Sequence, residues 1–140
     1  MIVFIDAGGW LSVLIESDQF HEAGKGYFQA LMAIGGQAMT TDFVLDEVVT
    51  RLRYDVGHAK AAKFLTLIHE AIDEGILRVH RITEDLWAEA EALFLRYADV
   101  RLSFTDCTSF ALLSAQAVDE VFGFDAHFEM MGHILQPKPP

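Results

Sequence analysis

Two aspartates follow short, β-rich apolar runs: Asp6 after Ile2-Val3-Phe4-Ile5, and Asp125 after Val121-Phe122-Gly123-Phe124. If these runs are strands of one sheet, both carboxylates arrive at the same edge, where oxygen ligands can gather around a divalent cation. An aspartate just past a strand is, taken singly, more often a helix cap or turn residue, so it is the pair that carries weight. A third acid, Asp106, closes Ser103-Phe104-Thr105-Asp106, the pattern in which a hydroxyl and an acid cap a helix reciprocally. The same residue shares a helical face with Phe110, Leu113 and Ala117, so it heads an apolar stripe aimed at the core. A carboxylate pointing inward is costly unless it is paired, hydrogen-bonded or bound to metal.

A fourth acid is ambiguous from periodicity. If Val44, Val48, Leu52 and Val56 form the buried face of a helix, Asp46 and Glu47 both project to its polar side. For Glu47 the bland alternative is a solvated pair with Arg51, four residues on and worth a few tenths of a kcal/mol. Other polar residues read structurally. Asp42 is expected to cap the helix that follows Thr41, with Asp46 a helix-start acid favoured by the macrodipole. Thr105 reads as an N-cap, Cys107 as a small core residue and His127 as a turn histidine. Arg51, Arg53, Lys60 and Arg101 are solvated charges, the basic residues available to touch RNA. No Gly-rich phosphate loop and no supported Ser-His-Asp arrangement is present.

The elements that must position these acids alternate in type. The opening strand leads through a Gly8-Gly9 turn to a helix from Trp10 to Glu16, and a second helix covers His21 to Ile34. A short strand at Ala38 to Thr41 feeds the helix of the fourth acid. An amphipathic helix over Ala59 to Ile72, closed by Gly75, precedes a strand at Leu77 to Ile82 and a helix at Thr83 to Tyr97. The last third reads as a helix from about Asp106 to Ala117, the strand ending at Phe124, and a short strand at His133 to Leu135. Such alternation predicts an α/β fold, a mostly parallel sheet with helices on both faces. Ligands in these folds bind beyond the carboxyl ends of the strands, where Asp6 and Asp125 stand.

Size and composition fit that picture. A chain of 140 residues suits a single domain spanning 1–140, and only Pro137-Lys138-Pro139-Pro140 resembles a linker. The formal charge of −11 argues against general electrostatic binding to nucleic acid or anionic membrane. A pocket of acids that holds cations reverses the local field, so a phosphodiester remains an accessible substrate. The 52% hydrophobic share, with ten Gly besides, is high against the roughly 45–50% of a typical soluble domain, which suggests apolar surface reserved for a partner. One cysteine and no run of eighteen apolar residues point to a reducing, cytoplasmic setting without membrane insertion.

Four blocks together resemble the PIN-domain proteins of the toxin-antitoxin, VapC-like type: Phe4-Ile5-Asp6, Thr41-Asp42-Phe43-Val44-Leu45-Asp46-Glu47-Val48, Ser103-Phe104-Thr105-Asp106-Cys107 and Phe124-Asp125-Ala126-His127-Phe128. They span nearly the whole chain in that family's order. No single block is specific, but the set is. The resemblance implies a PIN-like three-layer α/β/α fold and selects Glu47 over Asp46, so that Asp6, Glu47, Asp106 and Asp125 become the metal-binding, catalytic acids. It implies Mg²⁺ or Mn²⁺ as the cofactor and hydrolysis of RNA phosphodiester bonds as the reaction, with a small antitoxin protein and a second copy of the chain as partners. One departure stands out. The family usually places Ser or Thr after the first Asp, whereas Ala7-Gly8-Gly9 follows here, removing a hydroxyl that could help position substrate.

Two other acid-pocket folds fit poorly. A receiver domain needs an acidic neighbour for Asp6 and a lysine after a late strand, and a haloacid-dehalogenase-type phosphatase needs an Asp where Gly8 stands. The alternative with more support is a non-catalytic PIN-like module that binds RNA or protein, which the Ala7-Gly8-Gly9 departure keeps open.

Overall fold

Five short strands and seven helices alternate along the chain in a computed structural model that describes residues 1–138. The order is β1 (Ile2–Ile5), α1 (Ala7–Leu14), α2 (His21–Ala33), β2 (Gln37–Thr41), α3 (Asp42–Asp55), α4 (His58–Asp73), β3 (Leu77–His80), α5 (Glu84–Arg96), α6 (Phe104–Ala115), β4 (Glu120–Phe122), α7 (His127–Met130) and β5 (Leu135–Gln136). All strand pairings are parallel, in the spatial order β3-β2-β1-β4-β5. The expected mostly parallel sheet with flanking helices, a three-layer α/β/α arrangement, is therefore what forms. Pro139 and Pro140, the end of the linker-like tail, lie outside the described residues.

A parallel sheet covered on both faces needs strands that are apolar throughout. Val3, Phe4 and Ile5 of β1, and Val121 and Phe122 of β4, are all fully buried. Around them Leu11, Val44, Val48, Leu52, Phe110 and Phe128 complete a core to which both faces contribute. The register sets the edge at which the acids emerge. Ile5 lies opposite Phe122, and the Asp6 amide donates to the Phe122 carbonyl at 3.0 Å, so β1 and β4 end together. Thr40 fastens the same edge from the other side, donating its hydroxyl to the Ile5 carbonyl at 2.9 Å.

Several local expectations need correction. Gly8 and Gly9 form no turn, since α1 begins directly at Ala7 and ends at Leu14. Gly9 serves a close approach instead: a Cβ there would lie 2.5 Å from the Phe122 carbonyl oxygen, so only glycine lets α1 sit this tightly on β4. Asp42 does not cap α3. Thr41 does, accepting from the Val44 amide at 3.0 Å, while Asp42 accepts from its neighbour Phe43 and from Ile82 across the chain. Thr105 is likewise inside its helix, and the cap of α6 is Ser103. Val56 lies beyond α3 and is exposed, as Ala117 is beyond α6. The final strand is Leu135–Gln136 rather than His133 to Leu135, and the short α7 was not anticipated.

Candidate metal centre

The fold brings four acids from four separate elements to the carboxyl end of the sheet. Asp6 stands between β1 and α1, with its main-chain carbonyl accepting from Trp10. It is buried, and its side chain makes no capping hydrogen bond to α1. Glu47 lies in the second turn of α3, half-buried, whereas Asp46 faces solvent. Asp106 is held by the capping box of α6: its carboxylate accepts from the Ser103 amide at 3.1 Å and its own amide donates to the Ser103 hydroxyl at 2.9 Å. Capping and pocket placement are thus compatible in one residue. Asp125 follows β4 after Gly123 and Phe124, and its Oδ1 accepts from the His127 amide at 2.9 Å.

Electrostatics tie the four together. Burial pushes the Asp6 carboxyl from 3.8 up to about 7, the Ala7 amide offsets part of that rise, and the charges of Asp106, Glu47 and Asp125 add to it. Glu47 is raised by burial and then by Asp106, with Arg51 pulling the other way. Asp106 is also raised, by burial first, against the Ser103 amide, and then by Asp125. Among the described residues no Lys or Arg forms a salt bridge with any of the four. Mutually repelling carboxylates, one of them buried, are an arrangement that a divalent cation relieves and that little else in the molecule does. The donor set is predominantly carboxylate oxygen, which suits a hard cation, so these residues fit the metal expected of them.

Glycine keeps the pocket open. A Cβ on Gly123 would come within 3.2 Å of the Asp6 Cβ and 3.7 Å of its Oδ2, so the residue two before Asp125 leaves room for the carboxylate after β1. In the sequence Gly123 reads only as part of the apolar run Val121-Phe122-Gly123-Phe124, and nothing there signals this contact. The aromatic rings of Phe20 and Phe124 stack beside it, centroids 4.2 Å apart and nearly parallel. On the other flank Trp87 packs against Phe43 and Phe104, whose helices carry Glu47 and Asp106. Ala7 is buried, and no hydroxyl occupies its position. Arg51, Arg53, Lys60 and Arg101 are all exposed. Cys107 is fully buried, with its thiol pushed up by burial and by Asp106, consistent with a core residue rather than a nucleophile.

The PIN domain family matches residues 3–133, nearly the whole chain. The chain belongs to the PIN domain family. Within it, the chain is similar to the 23S rRNA-specific endonuclease VapC20 of Mycobacterium tuberculosis, 27% identical over 135 residues that cover 95% of this chain and 96% of that protein. The crystal structure of VapC20, described as a sarcin-ricin loop cleaving toxin, superposes with a TM-score of 0.79 at 28% identity, covering 94% of this chain and 96% of that one. The fold is also that of VapBC2 from Rickettsia felis, solved with a DNA fragment from its promoter: TM-score 0.67 at 11% identity, over 97% and 98% of the two chains. Among the described residues, no helix of this PIN protein is long and apolar enough to cross a membrane.

Proposed function

We propose that this PIN protein is a divalent-metal-dependent endoribonuclease, the toxin of a toxin-antitoxin pair, with Asp6, Glu47, Asp106 and Asp125 holding Mg²⁺ or Mn²⁺. The observation that carries the reading is the convergence of four acids from four elements, electrostatically coupled and, among the described residues, without a salt bridge to Lys or Arg. The similarity to VapC20 over almost the full length of both chains supports RNA as the substrate class.

A cation held there supplies Lewis-acid activation of water and neutralises charge on the phosphate being cleaved. The protein's own residues do the positioning. The β1–β4 register and the Thr40 hydroxyl fix the main chain that presents Asp6. Ser103 fixes Asp106, and the His127 amide fixes Asp125. Such preorganisation sets acids at the reacting centre before substrate arrives. On a chain of net charge −11, cations held in the pocket would offset its carboxylates and give RNA a place to approach.

As partners we propose a small antitoxin protein and a second copy of the chain. The apolar cleft between α1, α2 and α4, about 310 Å³ and lined by Trp10, Val13, Phe28, Met32 and Phe64 among others, offers the antitoxin a surface. A single-domain protein working in the reducing cytoplasm suits the lone buried Cys107.

Cellular RNA, incubated with wild type or Asp6→Asn in Mn²⁺ and sequenced at its new ends, tests the function. Discrete cleavage sites with wild type, absent with the variant and in excess EDTA, are expected; equal cleavage under all three conditions refutes the proposal. The alternative, a non-catalytic PIN-like module, draws on the missing hydroxyl at Ala7 and predicts Mn²⁺ binding with no new ends at all.

A further inference from the structure

The metal pocket has a nitrogen atom at its rim. His127 opens α7 and places its Nδ1 3.0 Å from Asp125 Oδ1. The side chain is 31% exposed and the contact is an ion pair when the ring is protonated, but the nitrogen itself is covered and is not aligned with any acceptor or donor for a hydrogen bond. The role of pairing with Asp125 is already taken by the His127 backbone, whose amide reaches the same carboxylate oxygen at 2.9 Å. A tight turn therefore holds a carboxylate oxygen and an imidazole nitrogen side by side. Asp106 joins them, since one ligand atom each from Asp106, Asp125 and His127 lies within 4.8 Å of the other two.

The 3.0 Å separation of His127 Nδ1 from Asp125 Oδ1 is that of neighbouring ligands on one ion, and Asp106 lies close enough to join them with a small side-chain adjustment. Neighbouring ligands about 2.1 Å from an octahedral cation are about 3.0 Å apart, and opposite ones about 4.2 Å. A covered ring nitrogen without a hydrogen bond, next to two carboxylates, is a group that a cation would satisfy. We infer that His127 is a nitrogen ligand of the pocket, forming with Asp106 and Asp125 a mixed two-carboxylate, one-imidazole edge that selects Mn²⁺ over Mg²⁺. Imidazole suits first-row transition metals, whereas Mg²⁺ is held through oxygen and retains its waters. Asp6 and Glu47 stay with the oxygen side of the pocket.

The inference rests on the proposed metal pocket but not on RNA cleavage, and its test involves no RNA. Pulsed EPR of Mn²⁺ added to the purified wild type should show nitrogen modulation from a directly bound imidazole. The ¹⁴N signal should become ¹⁵N when the protein is made with ¹⁵N-labelled histidine, and should vanish in His127→Gln. In parallel, His127→Gln should lower Mn²⁺ affinity about tenfold or more while Mg²⁺ affinity stays within about twofold. Bound Mn²⁺ without nitrogen modulation in the wild type would overturn the assignment whether or not the variant folds. Equal losses for Mn²⁺ and Mg²⁺ would also overturn it, showing His127 to act only from outside the coordination shell. Absence of Mn²⁺ binding would remove both this inference and the metal reading of the pocket. Nitrogen modulation in a protein that cuts no RNA would uphold His127 as a ligand and refute the nuclease proposal alone.

Discussion

The helix α1 touches two regions of opposite character. At its start, Asp6 faces three other carboxylates, and burial together with their charge raises its pKa to about 7. One turn on, Trp10 packs edge-on against Phe64 at 5.5 Å in the apolar cleft between α1, α2 and α4. The walls of the cleft are stabilised by what they remove from water. The pocket is held in place by the fold despite an electrostatic cost that protonation or a bound cation relieves. One end of α1 thus adds stability, while the other gives some up to gather the acids of the proposed metal pocket.

If the pocket works as proposed, its largest sensitivity is chemical. Glu47→Gln should reduce RNA cleavage by on the order of a hundredfold or more, as loss of a group stabilising charge in the transition state does, while Asp46→Asn, at a solvent-facing position, should change it by less than about twofold. Initial rates on a single RNA would decide this. The reverse ranking would place the ligand one residue earlier on α3.

The cleft should respond in stability and be indifferent to metal. Phe64→Ala removes a ring that is 2% exposed and should cost about 3–5 kcal/mol, by urea unfolding, to the same extent in EDTA and in Mn²⁺. A loss that depended on metal would mean that the two ends of α1 are not independent.

Between these lies a pH effect confined to the pocket. The Asp6 carboxyl binds its proton more tightly when folded, at about 7, than at its ordinary 3.8. Its contribution to stability is therefore fully present below about pH 4 and is lost as pH rises through 7. In EDTA the wild type should weaken across that window by at most about 4 kcal/mol, and Asp6→Asn should lose this part of the dependence. Parallel urea titrations from pH 4 to 8 would show it; identical slopes for the two proteins would mean that Asp6 is ionised throughout.

The apolar region was more legible in sequence than the pocket, for a physical reason. Runs such as Val3-Phe4-Ile5 and the repeat Val44, Val48, Leu52 report burial directly, so the parallel α/β frame and the place of Asp6 directly after β1 follow from pattern; β4 stops at Phe122 rather than the expected Phe124, leaving Asp125 three residues beyond it. Periodicity states which side of a helix is apolar but not what faces its polar side. Asp46 and Glu47 were therefore indistinguishable until the resemblance to PIN proteins selected one and the fold gave the two unequal burial. Close approaches are invisible to any pattern. Gly9 reads as a turn residue and Gly123 as part of a strand, and their reasons, the Phe122 carbonyl and the Asp6 side chain, are contacts between elements. Helix α7 has four residues, too few to show a period, which is why His127 was taken for a turn residue. The Asp42 and Thr105 caps were misplaced by one and two residues, because several hydroxyl and acid side chains crowd each helix start and only backbone geometry decides among them.

The central claim, that the four acids bind a divalent cation, is tested most directly by melting wild type and Asp6→Asn at pH 8, where the Asp6 carboxyl is ionised, with EDTA and with saturating Mn²⁺. A metal pocket predicts that the variant melts higher than wild type in EDTA, because one repelling buried charge is gone, and that Mn²⁺ raises the wild type well above the variant by linkage. A variant that melts lower in EDTA and gains as much from Mn²⁺ as the wild type would contradict it.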